Sequence, residues 1–115
     1  MNFDTFIDSP KIRNIWIRER DIDVYVRRSN RIIDGNLVSC LDIASVEVNE
    51  NRRGQGMFKA FLNRVEKAAA AMDREIFVES ILEPRLLQFL LKRGYTLIPN
   101  SIPPCVHKKI RLDFE

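Results

Sequence analysis

The chain has one histidine, two cysteines and no long apolar run, and each shortage removes a class of function. His107 has no cysteine or aspartate pattern around it, so neither a histidine-based catalytic centre nor a metal site is indicated. Cys40 and Cys105 lack the spacing of metal ligands, and in a reducing compartment each reads as a small buried apolar group rather than half of a disulfide. No stretch approaches the roughly 18 apolar residues of a membrane span. Asp4 and Asp8 interrupt the N-terminal region where a leader would be basic and then apolar, so the expected setting is cytoplasmic, with no membrane partner. Charge of one sign is also scarce. A net +3 argues against nucleic acid as a partner, and the pairs Arg27-Arg28 and Lys108-Lys109 read as solvated surface.

What is present describes an ordinary globular domain. An apolar content of 45% and a charged content of 30% allow one core over residues 1–115, with no room for a second domain. Ile15 and Ile17, then Ile22, Val24 and Val26, recur at period two, which predicts two strands joined near Glu19-Arg20-Asp21. Asp34-Gly35-Asn36 is a turn signal, and a third long strand ends near Val48, with Val46 and Val48 on one side. The period then changes. Phe58, Phe61, Leu62, Val65, Ala68, Ala69 and Met72 recur at three and four residues, predicting an amphipathic helix over about 55–73. Residues 74–81 read as a short buried strand. Pro84 suits the first position of a further helix that ends at Gly94, although a capping box at Ser80 and Glu83 would start it earlier. Two last strands surround Pro103-Pro104, and residues 1–12 leave room for one short helix.

The stretch 49–58, NENRRGQGMF, sits between the third strand and the long helix. Gly54 and Gly56 permit positive φ and close approach of a ligand, while the first amides of the helix lack intrahelical acceptors. Arg52 and Arg53 sit unfavourably beside the positive end of the helix dipole, and an anion bridging amides and guanidinium would relieve that. The alternative is that the arginines bend into solvent and the glycines only make the turn. The spacing matches neither a Walker loop nor a dinucleotide fingerprint.

Two segments carry a resemblance. Residues 46–62, VEVNENRRGQGMFKAFL, resemble the acetyl-CoA-binding signature of the GNAT N-acetyltransferase superfamily, with Arg53-Gly54-Gln55-Gly56-Met57-Phe58 on its core and Phe58 where the family usually has Gly or Ala. Residues 83–95, EPRLLQFLLKRGY, resemble the family's later helix, which ends in Gly-Phe or Gly-Tyr, here Gly94-Tyr95. The resemblance implies an α+β, GNAT-like acyl-CoA N-acyltransferase fold: a mostly antiparallel mixed sheet with a central splay and helices packed on it. It also implies acetyl-CoA as cosubstrate. The pantetheine arm would lie between the backbone of Val46 and Val48 and the segment 77–80, and the diphosphate would rest on the amides of Arg53, Gly54, Gln55, Gly56, Met57 and Phe58. Phe58 fits if its ring turns into the core.

The implied reaction is transfer of an acetyl group to an amine by direct attack in a ternary complex. An amine with a reference pKa near 10.4 must lose a proton, and the candidate bases are Glu47 and Glu79, with Asp42 further up the strand. A backbone N–H near Val48 would polarise the thioester carbonyl. The family's usual tyrosine acid falls at Leu90, directly after Phe89, and its usual Asn falls at Glu83; Tyr25 and Tyr95 remain as other acids. The short N-terminal region leaves the acceptor side open, for a small amine or a protein, or completed by a second subunit in a homodimer. Two further readings stand beside the enzyme. One is a non-catalytic GNAT-like module that binds CoA or a macromolecular partner. The other uses Arg52 and Arg53 together with Arg27, Arg28 and Arg31 for RNA phosphates, without an aromatic stacking pattern to support it.

Overall fold

The computed structural model describes residues 2–19, 21–48 and 56–111. A short helix α1 (Phe3–Ile7) precedes strands β1 (Asn14–Glu19), β2 (Ile22–Ile33) and β3 (Asn36–Val48); helix α2 (Met57–Ala71), strand β4 (Glu75–Val78), helix α3 (Pro84–Lys92) and strands β5 (Thr96–Leu97) and β6 (Val106–Lys108) follow. The strands form one sheet in the order β1-β2-β3-β4-β6-β5. All neighbours are antiparallel except β3 and β4, which run parallel with α2 as their crossover. This is the α+β architecture expected, a mixed sheet with its helices packed on it.

Local chemistry sets the elements. Asp34 and Gly35 both adopt positive φ, 51° and 80°, the two-residue hairpin whose twist matches that of its strands. Alternation places Ile22, Val24 and Val26 of β2 with Leu41 and Ile43 of β3 on the face that receives Phe61, Leu62, Val65 and Ala69 of α2. Phe3 and Phe6 of α1 join this core, as does Leu90 of α3. The opposite face has a smaller cluster of Ile33, Cys40 and Phe77, with Ile98 and Cys105 packed against it. Cys40 is fully buried, and burial pushes its thiol up to about 11. Both cysteines are free, Cys40 buried and Cys105 only partly so.

Helix α3 starts at Pro84, with Glu83 as its N-cap accepting from the Arg85 amide at 3.1 Å; the capping box at Ser80 does not form. Gly94 follows its last turn at φ 97°, and a Cβ there would also press on the Lys108 ammonium at 3.2 Å. The basic pairs are only in part the solvated surface expected of them: Lys109 is exposed, but their other members are engaged. Arg28 lies on the inner face of β2, buried under α1, and Lys108 donates to the Arg93 carbonyl at 2.7 Å.

A partly buried ionic group fastens α2 to the end of α3. Glu66 accepts from Arg93 Nε at 2.9 Å and from the Tyr95 hydroxyl at 2.9 Å. Burial alone would raise the Glu66 carboxyl, but these donors outweigh it and hold the group below the usual carboxylate range. A carboxyl whose folded pKa is depressed stabilises the fold above its unfolded value, near 4.3, and that contribution is lost as pH falls through the lower folded value. Glu66→Gln is therefore expected to lower the urea midpoint at pH 7, with the gap to the unaltered chain narrowing as the medium is acidified below that range. A gap constant across pH would show that the charge of Glu66 is not what matters.

Candidate functional site

Strands β3 and β4 pair over a short stretch and then part. The register runs from Cys40 opposite Glu75 to Ile43 opposite Val78, and the Glu79 amide still donates to the Ile43 carbonyl at 3.0 Å. Beyond that rung the chain turns away. Ser80 takes φ 49°, and the Ile81 amide donates to the Pro104 carbonyl at 2.8 Å. Among the described residues, residues 44–48 of β3 continue with β2 as their only strand neighbour. The register between β2 and β3 explains the divergence: Tyr25 faces Ser45 while Val26 faces Ile43, so Ala44 is an extra residue in β3. A bulge of this kind sharpens twist and bends the strand, here away from β4. The gap opens at the carboxyl ends of two parallel strands, where open α/β sheets place their ligands.

The N-terminus of α2 lies at the same end, because a crossover helix runs antiparallel to the strands it joins. Gly56 is its N-cap at φ 76° and offers no side-chain oxygen, and no acidic residue stands in the first turn. The Ala60 amide is the first to reach back along the helix, to Gly56 O at 2.9 Å. The amides of Met57, Phe58 and Lys59 therefore have no acceptor within the helix. The Phe58 ring turns toward the core and packs edge-on against Phe89 of α3, with centroids 6.4 Å apart. Arg52, Arg53, Gly54 and Gln55 lie outside the described residues.

The sequence-nominated side chains separate by face. Val46 is half-buried toward the helix layer. Glu47 is exposed on the other face, opposite Asp23 on β2. Glu79 also lies on that face, but its Oε1 accepts from both Arg27 Nη2 and Arg31 Nη2. Those arginines meet Asp42, whose side chain is 0% exposed: Arg31 donates from Nε at 3.2 Å and from Nη2 at 2.9 Å, Ser29 Oγ donates at 2.8 Å, and Arg27 Nε stands 3.5 Å away. Arg31 also stacks over Phe77, 3.9 Å from the ring centroid. Asp42 is thus enclosed by donors, and Arg27 and Arg31, among the arginines offered for RNA phosphates, are engaged internally.

The tyrosines also separate. Tyr95 is 3% exposed, with its hydroxyl donated to Glu66 and its pKa driven far up by burial and by that carboxylate, so it is a core residue. Tyr25 stacks on Trp16 with centroids 5.3 Å apart on the outer face. Leu90 is fully buried. His107 pairs with Glu75 at 2.8 Å, and among the described residues no group of three or more potential metal ligands gathers. A groove of about 490 Å³ between α1 and α2, lined by Phe3, Ile7, Arg64 and Lys67 among others, lies toward the far end of α2 from the parting.

No protein-family model matches the chain, and no curated protein does. Solved structures do match. A mutant AtaT toxin bound to the C-terminus of the antitoxin AtaR and acetyl-CoA aligns with a TM-score of 0.59 at 14% identity, over 77% of this chain and 58% of that one. AtaT complexed with acetyl-methionyl-tRNAfMet gives 0.59 at 13% identity, over 76% of this chain and 61% of that one. The KacTA–DNA complex gives 0.63 at 14% identity, over 84% of this chain and 65% of that one. The chain thus spans about three fifths of the length of these proteins. At such identities the likeness is one of fold, and the fold is GNAT-like.

Proposed function

We propose that the chain is an acetyl-CoA-dependent N-acetyltransferase that moves an acetyl group to an amine by direct attack in a ternary complex. The observation that carries this reading is the parting of β3 from β4 at Ile43 and Val78, beside a helix N-terminus whose N-cap Gly56 supplies no side-chain cap, in a GNAT-like fold. In this reading the backbone of Val46 and Val48 lines one side of the gap and receives the pantetheine arm. The amides of Gly56, Met57 and Phe58, with Arg53, Gly54 and Gln55 ahead of them, hold the diphosphate through hydrogen bonds and the helix dipole. Acetyl-CoA supplies an activated thioester. An N–H of β3 near Val48 polarises its carbonyl oxygen. Glu47, exposed on the outer face, takes the amine proton directly or through water as the N–C bond forms and the C–S bond breaks. The thiolate leaves and takes a proton from solvent, which a thiol with a reference pKa near 8.5 permits without a side-chain acid.

One observation favours a second reading. Leu90 fills, within the core, the position where the family resemblance places a tyrosine acid. A GNAT-like module that binds CoA or a macromolecular partner without turnover would have no need of that acid.

Arg53→Glu and Gly54→Asp are expected to abolish acetyl-CoA binding by calorimetry while the far-UV circular dichroism stays unchanged, since each sets a negative charge against the diphosphate. Equal affinity in the unaltered chain and Arg53→Glu would defeat the proposed site. Incubation with acetyl-CoA and a panel of amines, peptides and proteins, read by mass spectrometry, separates enzyme from module. Aminoacyl-tRNA belongs in the panel, because AtaT is seen with an acetylated one. Binding without any acetylated product would favour the module.

A further inference from the structure

The network of Arg27, Asp42, Arg31 and Glu79 crosses three strands at one level of the sheet. Arg27 and Arg31 belong to β2, Asp42 to β3, and Glu79 follows the last residue of β4. Arg27 stands directly opposite Asp42 in the register, and Asp42 opposite Phe77. Arg31 stands opposite Val38, yet its guanidinium reaches along β2 to Asp42 and lies over the Phe77 ring. Glu79 therefore passes over the outer face of β3 to join two guanidiniums carried by the next strand. The crossing lies one residue short of the place where β3 and β4 separate.

Such an arrangement has a mechanical consequence. Past the bond from the Glu79 amide to Ile43 O, the backbone of residues 80–81 has left β3: the Ser80 amide donates to Cys105 Sγ at 3.4 Å and the Ile81 amide to the Pro104 carbonyl on the other side. The Glu79 side chain is the tie that continues to hold this segment toward β2 and β3. Asp42 anchors the tie, since its burial leaves it dependent on Ser29 and the two arginines for every donor it meets.

We infer that this ionic strap fixes the width of the gap between β3 and β4, and that Glu79 and Asp42 serve coenzyme binding as positioning residues, through the backbone at 79–81, rather than as proton acceptors. The coenzyme part of the inference rests on the transferase reading above; the strap itself does not.

The test compares the full chain with Glu79→Gln and Arg31→Lys. Both substitutions fall at partly exposed side chains and weaken the strap: Glu79→Gln leaves Asp42 all its donors, and Arg31→Lys keeps a cation beside Asp42 while losing the two-pronged guanidinium contact. Hydrogen exchange of the Glu79 and Ile81 amides is expected to quicken roughly tenfold, the ratio given by a coupling of ordinary size within one ion-pair network. The Leu87 amide, bonded to Glu83 O inside α3, should not change. Acetyl-CoA affinity by calorimetry should fall by a similar factor. With an acceptor in hand, KM for acetyl-CoA should rise while the shape of the pH–rate profile is kept. Unchanged exchange at Glu79 and Ile81, equal quickening at Leu87, or loss of the acidic limb of the pH–rate profile in Glu79→Gln would each overturn the inference. Failure of the unaltered chain to bind acetyl-CoA would instead sink the transferase reading, with the exchange data still deciding the strap.

Discussion

Lys59→Glu is expected to raise the stability of the fold and, on the transferase reading proposed above, at the same time weaken acetyl-CoA binding. Lys59 is the third residue of α2 after its N-cap Gly56, exposed, in a first turn without any acidic group. The macrodipole disfavours a cation there and favours an anion, by about 0.3–1 kcal/mol at a surface position. A glutamate at this position also reaches back to the amide of the N-cap residue. In a domain of this size such a gain is worth an increase of about 2–6 °C in Tm. A bound diphosphate would meet the new carboxylate within a few ångströms, and like charges at that separation near a surface cost on the order of 1–3 kcal/mol. That cost corresponds to affinity lower by roughly ten- to a hundredfold. The opposite signs make the experiment diagnostic. Ordinary damage to the fold lowers both quantities, whereas an anion site at this helix end raises one and lowers the other. The affinity loss should shrink in concentrated salt, where the repulsion is screened. A raised Tm with unaltered affinity would show that no anion is held at these amides.

The features legible in the sequence were those that repeat locally. Period-two alternation through Ile22, Val24 and Val26 placed β2, the change of period after residue 56 placed α2, and the Asp34-Gly35 pair placed the turn between β2 and β3, because each depends on neighbours a few residues away. Strand β4 proved shorter than residues 74–81, since its end is set by Ser80 turning to positive φ and by Pro104 capturing the Ile81 amide. Neither event has a local signal. The bulge at Ala44 is equally silent: the alternation of β3 reads almost as well with it as without it.

The candidate site divides in the same way. Gly56 at the start of α2 was readable as chain punctuation, and Phe58 was readable as part of the apolar stripe. The strap was not, because Arg27, Asp42 and Glu79 come from three separate strands and only the sheet brings them together. For Arg28 a signal did exist. It follows Ile22, Val24 and Val26 on the buried parity of β2, so an arginine there had either to break the strand pattern or to find acceptors inside.

It finds them, and the second large effect is expected at this residue. The Arg28 guanidinium donates to the carbonyls of Phe6 at 2.9 Å, Ile7 and Ser9 at 3.3 Å each, and Ile12, and it stacks 4.2 Å from the Phe6 ring centroid. These carbonyls end α1 and line its connection to β1, so one side chain closes the whole turn. A helix of five residues cannot stand alone in water. It is held by the burial of Phe3 and Phe6 and by this clasp. In Arg28→Met the apolar stem is kept and the donors are lost, leaving several carbonyls beneath α1 without partners. The expected destabilisation is about 3–5 kcal/mol, between the cost of a few unsatisfied acceptors and that of breaking a buried charged contact. Against a total of roughly 5–15 kcal/mol for a domain, that is a large share. Arg28→Lys keeps charge and donors but loses the planar fork and the stack, so its urea midpoint should fall between the two. Hydrogen exchange of the Phe6 and Asp8 amides should quicken more than exchange in α2, because α1 would detach before the sheet unfolds. A midpoint for Arg28→Met within the equivalent of about 1 kcal/mol of the unaltered chain would mean that Phe3 and Phe6 hold α1 unaided, and that the carbonyls find water instead.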